Sequence, residues 1–373
     1  MKKNTTRPSD RTSTKPSRST PVPAELSGRT GSASIGPSSS LLTNIRYGLF
    51  LASLLTPLIY SSTTYFGYIS ERTWYINALI ESLFLVAVFT PGFFVARLSR
   101  LQLAVLLFLA ILFVADGLGV DPIQSFFSGY ARMEGFLLYL HLGLYFFALV
   151  RVPFPKPYWN GALLLVVIIA VFVTVKGYVS STGWQAIDHR LIATVGNPSF
   201  LSVYLLLPIF ISLYLYGQFP TVSRLIKGTM VGISLCVLTG GIYLTGTRSA
   251  IIGLASGCIY LVTISLWSRY QTFSKRIGWL VLMVAVVSTL FWVARNNPLL
   301  QKFPIMYRLT HYSGDNNTLS PRFICWKIGL HGVTERPLLG WGRRILAMVL
   351  PRTTIRPFCS VAVIAGTTGL TMC

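Results

Sequence analysis

Acidic residues are scarce in this chain. Only 10 of its 373 residues are Asp or Glu, against 32 Lys and Arg, and charged residues make up 11% of the sequence. A soluble domain carries about 25% charged residues. The hydrophobic content is 53% and the mean hydropathy is +0.61. The shortage of charge therefore argues against an ordinary soluble domain and predicts a membrane protein.

Cysteine and histidine are also few. The five cysteines include no CxxC pair, and the four histidines are scattered along the chain. Disulfide frameworks and zinc sites normally appear as closely spaced pairs of such residues. We therefore predict no disulfide framework, no metal and no cofactor.

The net charge of +22 does not indicate nucleic acid as a partner. A nucleic-acid-binding surface needs a contiguous basic patch. Here the basic residues form short clusters between long apolar runs, the pattern by which membrane proteins fix their orientation. Membrane lipids are the partners that this pattern predicts.

The sequence predicts an all-α, polytopic membrane domain over residues 44–295. Residues 1–43 are basic and rich in Ser, Thr and Pro, which is typical of a disordered cytoplasmic tail; a transit peptide is the alternative. About 20 apolar residues are needed to cross the hydrocarbon layer. Nine runs near this length follow, at 45–62, 74–95, 101–119, 134–150, 159–178, 198–217, 227–245, 249–267 and 277–295.

Three prolines fall inside these predicted spans, namely Pro57, Pro91 and Pro208. Neighbouring helices can satisfy the carbonyl groups that a proline leaves unpaired. We therefore keep the spans that contain them.

The loops predict the orientation. With a cytoplasmic N-terminus, four short loops on the inner side hold nine basic residues and no acidic one, whereas the outer loops hold five of each sign. The positive-inside rule selects this arrangement. We expect a bacterial inner-membrane protein whose residues 296–342 begin a large periplasmic loop.

Three arginines fall on the predicted outer face: Arg190 before span six, Arg248 in the turn between spans seven and eight, and Arg322 in the external loop. An arginine at membrane level can extend to the headgroups. Three on one face favour an anion site instead, because a guanidinium group suits phosphate oxygens. The nearby segment Gly196-Asn197-Pro198 has two interpretations. We favour a helix cap, and the alternative is a helix N-terminus that binds an anion.

Two polar residues lie inside predicted spans away from this face. Glu81 is interpreted as a functional group or as a contact with a partner helix. His141 is interpreted as a packed polar residue rather than a catalyst.

Four segments resemble motifs of the O-antigen ligase and polymerase family. The run from Arg190 to Tyr204 resembles its GNP segment, and Leu244 to Ala250 resembles its TxSRGA turn. Arg322-Phe-Ile-Cys-Trp-Lys with Pro337-Leu-Leu-Gly-Trp-Gly resembles its RxxxW…PxxGWG motif. Residues 125–135 match its earlier outer loop. The four occur in the family's order, over residues 44–342.

The resemblance implies glycosyl transfer outside the inner membrane. Members of the family take a glycan from an undecaprenyl-diphosphate carrier and pass it to lipid A core, a growing glycan or a protein, without a metal. By motif, Arg190, Arg248 and Arg322 would hold the diphosphate. A histidine in the large external loop would act as general base. Whether the chain is a ligase or a polymerase stays open.

The chain departs from the family after Gly342. The family continues with PENF and a later HN that contains its base, but the sequence here has no histidine after His331. Read one base out of step, codons for residues 343–373 can spell PENF…DRAHN across the whole tail. We therefore predict a frameshift after Gly342 and a truncated, inactive product.

Two other classes of protein remain as alternatives. A transporter or flippase of lipid-linked glycans would also place arginines outside, but it predicts inverted repeats and broken helices at mid-membrane, and no such repeat is visible. A purely structural membrane subunit would leave the alignment of the three arginines unexplained.

The frameshift is tested by sequencing the gene around codon 342. We expect that one inserted or deleted base restores an open frame with further apolar spans. Stop codons in all frames soon after codon 373 would contradict the prediction.

Overall fold

A computed structural model describes residues 37–61, 64, 66–94, 97–129, 132–180, 190–269, 297 and 320–342. These residues form α-helices joined by turns and two short 3-10 segments, Thr56–Leu58 and Ala193–Val195, and none of them belongs to a strand. The helices are α1 (Pro37–Leu54), α2 (Ser70–Val88), α3 (Arg100–Gly117), α4 (Pro122–Phe127), α5 (Phe136–Val150), α6 (Lys156–Val179), α7 (Pro198–Leu215), α8 (Arg224–Thr245), α9 (Arg248–Arg269) and α10 (Ser320–Glu335).

Eight of the nine predicted spans overlap α-helices, namely α1 to α3 and α5 to α9. α1 begins at Pro37, so the last residues of the predicted disordered tail 1–43 are helical. Within the described residues, five helical segments are long and apolar enough to cross a membrane: Leu41–Leu58, Arg100–Gly117, Lys156–Val179, Pro198–Leu215 and Arg224–Thr245. Phe136–Val150 and Arg248–Ile264 are shorter apolar helices. The ninth predicted span, 277–295, lies outside the described residues, so the count of nine remains a prediction.

One proline placement is wrong. α2 ends at Val88, so Pro91 lies in the turn after the helix rather than inside a spanning helix. Pro57 lies in the 3-10 segment that ends the first span, and only Pro208 is inside an α-helix, α7. The reason is that proline has no N–H to donate and its ring crowds the preceding turn, so most helices end before it.

Local sequence signals explain where the helices begin. Ser99 and Gln102 form a capping box at the start of α3, with Gln102 N donating to Ser99 Oγ at 3.2 Å and Ser99 N donating to Gln102 Oε1 at 2.8 Å. Ser223 caps α8 by accepting from Ile226 N. Such caps satisfy N–H groups that have no partner within the helix.

Two apolar clusters hold the helices together. One lies among α6, α7 and α8 and contains Val173, Leu201 and Leu238, all fully buried. The other joins α1, α2 and α5 through residues such as Phe50 and Leu83. Leu54 at the end of α1 packs against both clusters, so the last turn of α1 connects the two halves of the bundle.

α3 lies at the edge of this bundle. Large apolar side chains stand exposed along it, including Leu101, Leu103, Leu107, Phe108 and Ile111. In a protein surrounded by lipid, exposed apolar residues of this kind face the hydrocarbon chains. The helix is therefore apolar on nearly all sides, as a peripheral span requires.

The predicted topology is tested with reporter fusions. A reporter fused after Trp267 should report cytoplasm and one fused after Asn297 should report periplasm, because the inner loops carry the excess of basic residues. If both fusions report the same side, the number of spans is wrong.

Candidate anion site at the α8–α9 turn

The structure brings Arg190 against the turn that carries Arg248. Arg190 Nε donates to Thr245 O at 2.6 Å, and its Nη2 donates to Thr247 Oγ1 at 3.1 Å. Leu191 N also donates to Leu244 O at 3.0 Å. The backbone next to Arg190 is therefore bonded to the backbone next to Thr245. Two of the three motif arginines thus belong to one local structure, although 57 residues separate Arg190 from Thr247.

The turn itself is only two residues long. α8 ends at Thr245, Gly246 adopts the left-handed conformation at φ +58°, and α9 begins at Arg248. Thr245 is fully buried and Thr247 is nearly so, whereas the Arg248 side chain is exposed. The buried threonines hold the turn in place, and Arg248 extends from it at the first position of a helix.

The GNP segment packs beside this turn. Gly196 adopts φ +78°, and Asn197 Oδ1 accepts from Ser199 N at 2.8 Å and Phe200 N at 3.4 Å. This confirms the helix-cap interpretation of Asn197 and the start of α7 at Pro198. Thr247 Oγ1 lies 3.5 Å from Pro198 O, to which it donates while it accepts from Arg190. The hydroxyl of Thr247 therefore links the arginine, the turn and the start of α7.

An aromatic stack that the sequence did not reveal holds the GNP segment. The rings of Tyr60 and Tyr68 are stacked with centroids 5.9 Å apart, and Lys176 Nζ lies 4.7 Å from the centroid of Tyr60. Tyr68 also lies against Gly196, where an added Cβ would come within 2.6 Å of the ring. Gly196 is thus required for its backbone angle and for the closeness of Tyr68.

Arg72 is a second residue that sequence reasoning missed. Its guanidinium group donates to Thr56 O at 3.2 Å, Ile59 O at 3.3 Å and Thr194 O at 3.0 Å. Thr194 Oγ1 in turn donates to Pro57 O at 2.7 Å. These bonds join the end of α1 to the segment before α7. In the sequence, Arg72 is marked only as a basic residue of a predicted outer loop, two residues before the predicted span 74–95.

The RxxxW…PxxGWG segment contacts a different part of the structure, the α3–α4 turn. Arg322 lies in the first turn of α10, and its side chain is outside the described part of the structure. Trp341 Nε1 donates to Gly332 O at 3.1 Å, and the Arg336 guanidinium carbon lies 4.4 Å from the centroid of the Trp341 ring. Val120 N donates to Trp341 O at 3.1 Å, so the motif docks on the α3–α4 turn.

The structure therefore unites Arg190 with the Arg248 turn, whereas the position of the Arg322 side chain lies outside the described residues. Within the described residues, no group of three or more His, Cys, Asp or Glu could hold a metal ion. What the turn offers chemically is two cations, Arg190 and Arg248, placed by buried threonines. Such a set suits an anionic ligand with phosphate oxygens.

Comparison with known families agrees with the sequence motifs. The family model described as O-antigen ligase matches residues 233–357, about a third of the chain. The resemblance to the O-antigen ligase family is thereby confirmed over a range that holds Arg248 and Arg322, whereas Arg190 precedes it. The matched range extends beyond Gly342 to residue 357, so the frameshift after Gly342 remains a prediction. Together with the apolar helices, the match supports a multi-pass membrane protein of a glycan-transferring ligase family. No curated protein and no solved structure matches the chain.

Replacing Gly196 tests the packing behind the site. Gly196→Ala should destabilise the protein by about 1–3 kcal/mol, because alanine is strained at positive φ and its methyl group would meet Tyr68. Gly228→Ala in α8 is the matched control: an added Cβ there has nothing within 4 Å, and alanine favours a helix by about 1 kcal/mol. Thermal unfolding of the purified proteins gives the comparison. Equal midpoints for the two variants would contradict this account of Gly196.

Proposed function

We propose that the protein is a glycosyltransferase of the O-antigen ligase type. In this proposal it moves a glycan from an undecaprenyl-diphosphate carrier to a hydroxyl group of lipid A core, a glycan or a protein. The reaction takes place on the periplasmic face of the inner membrane, with the N-terminus in the cytoplasm. The observation that carries the proposal is the pair of hydrogen bonds from Arg190 to Thr245 and Thr247, which joins two separate family motifs at one turn.

The chemistry of the donor explains why arginines are suitable there. When the glycosidic bond to the carrier breaks, negative charge develops on the lipid diphosphate that leaves. Fixed cations stabilise such charge more in the transition state than in the ground state. Arg248 is exposed at the first residue of α9 and can meet a ligand from outside. Arg322 is the proposed third cation, contributed by the external loop.

Arg190 has two roles in this proposal. Its Nε bond to Thr245 O holds the chain immediately before Gly246 and so positions the turn that carries Arg248. A guanidinium group has five N–H donors in one plane, which allows one arginine to hold a backbone and still contribute its charge to a ligand. Arg190 is therefore a positioning residue as well as part of the diphosphate site.

The proton of the acceptor hydroxyl needs a base, and the sequence has no histidine after His331. The last histidine, His331, lies on α10 with its Nδ1 3.3 Å from Glu335 Oε1. The family's base is expected in the frame restored after Gly342. We therefore propose that the chain with the tail 343–373 binds the carrier and that the frame-restored protein transfers the glycan.

Binding of undecaprenyl diphosphate by the full chain in detergent tests the site. Arg248→Lys keeps the charge but loses the planar two-pronged contact. We expect the affinity to fall roughly ten- to a hundredfold, since a hydrogen bond to a charged group contributes about 1.5–3 kcal/mol. Arg224→Lys is the matched control, because Arg224 is the first residue of α8 as Arg248 is of α9, but lies on the predicted inner side. Calorimetric titration measures both affinities, and an equal affinity for the two variants would make Arg248 an interfacial anchor.

Glycan transfer in membranes that contain the frame-restored protein tests the reaction. Arg248→Lys should remove about 2–4 kcal/mol of transition-state stabilisation and so lower the rate of glycan transfer, as loss of an oxyanion-hole donor does. Protein amount is measured separately. A protein that moves lipid-linked glycan between leaflets without forming the transferred product would instead be the transporter.

A further inference from the structure

Glu81 and His141 meet between two helices, away from the arginine site. Glu81 lies on α2, eleven residues after Ser70 and seven before Val88, and His141 lies on α5. His141 Nε2 is 2.9 Å from Glu81 Oε1. His141 is buried, as expected from the sequence, and Glu81 does contact a partner helix.

The second nitrogen of His141 determines how many protons the pair holds. His141 Nδ1 lies 2.7 Å from Leu137 O. A carbonyl oxygen only accepts hydrogen bonds, so Nδ1 carries a hydrogen and donates it. Nε2 is then bare in the neutral imidazole and carries a hydrogen in the imidazolium ion. A bare Nε2 facing an ionised carboxylate would place two lone pairs within hydrogen-bond distance. One proton therefore lies between Nε2 and Oε1.

The charge of the pair leads to the same count. With that proton, the pair sums to zero charge whether the proton is on the nitrogen or on the oxygen. Without it, the pair would carry one negative charge among apolar helices, where ionised side chains are costly. Retaining the proton is thus favoured by hydrogen bonding and by charge.

The other titratable groups on the packed helices have different partners. Tyr75 of α2 donates to Ala52 O at 2.8 Å, and Tyr145 of α5 pairs with Ser53 at 2.8 Å. Arg46 of α1 donates to Ala148 O at the far end of α5. Asp116 is buried in the last turn of α3. None of these bonds involves Glu81 or His141.

The two side chains differ in how open they are. The His141 side chain is 10% exposed, whereas the Glu81 side chain is 63% exposed. Because Glu81 lies in the predicted span 74–95, we expect its exposed carboxyl to open to the hydrocarbon layer rather than to water. We infer that Glu81 and His141 form a proton-binding site in the membrane domain, with its carboxyl accessible from the bilayer. This inference does not rest on the proposed glycan transfer.

A carbodiimide tests the site because its reaction needs both the proton and the carboxyl oxygen. The proton of the pair moves to a nitrogen of the reagent, and the carboxyl oxygen bonds to the central carbon. The resulting O-acylisourea rearranges to a stable N-acylurea, so the residue gains the mass of one whole reagent molecule and nothing leaves. Dicyclohexylcarbodiimide, an apolar reagent, reaches carboxyl groups from the bilayer, and a water-soluble carbodiimide reaches those in water.

The first measurement uses the unmodified full chain in membranes and therefore does not depend on any variant folding. Peptide mass spectrometry should show the apolar reagent on Glu81 and not on Glu71, the matched control in the first turn of the same helix. The water-soluble reagent should show the reverse. If Glu81 reacts only with the water-soluble reagent, it is an ordinary carboxylate in water and the inference fails.

The second measurement uses variants to test the shared proton. Glu81→Gln should abolish the label on this peptide. His141→Gln should increase the rate of labelling of Glu81 several-fold, because the carboxyl then keeps the proton alone and is no longer occupied by Nε2. Helix content measured by circular dichroism checks that the variants are folded. An unchanged rate in folded His141→Gln would show that the histidine does not share the proton.

Discussion

Backbone carbonyl groups at helix ends need hydrogen-bond donors, because hydrocarbon offers none and each unpaired group costs several kcal/mol. In this protein arginine side chains supply many of those donors. Arg46 donates to Ala148 O in the last turn of α5 and to Val152 O after that helix. Arg151 donates to Phe93 O after α2. Arg72 and Arg190 do the same at the end of α1 and the end of α8. The joints between helices therefore depend on guanidinium groups.

This use of arginine explains how a chain with so few acidic residues stays folded. A guanidinium group that bonds carbonyl oxygens, or lies over an aromatic ring as Arg46 does over Phe154 at 4.8 Å, needs no carboxylate partner. The positive charge is not cancelled by these neutral contacts. Each of these joints consequently keeps a cation, and the turn closed at Gly246 has Arg190 bonded to it and Arg248 at its end.

Much of the fold could be predicted, because apolar length and helix caps act locally. Asn197-Pro198 marks a helix start that the structure confirms, and the turn at Arg248 lies where the motif placed it. The contact of Tyr68 with Gly196 and the bonds of Arg72 to Thr194 could not be predicted, since they join segments more than 100 residues apart. Arg190 was predicted as a ligand of phosphate, and its backbone bonds depend on a packing that no local pattern contains. The pairing of His141 with Glu81 was likewise invisible until α2 and α5 were placed together.

The docking of Trp341 on Val120 has a consequence for biosynthesis. An added Cβ on Gly119 would lie 3.0 Å from Gly342 Cα, so the two backbones are nearly in contact. The α3–α4 turn leaves the ribosome about 220 residues before Gly342 does, and at about 5–20 residues per second this interval is on the order of tens of seconds. Throughout that time the segment that docks on this turn has not yet been made. Until the segment that covers it has been translated, the conformation of this turn therefore depends on α3, α4 and α5.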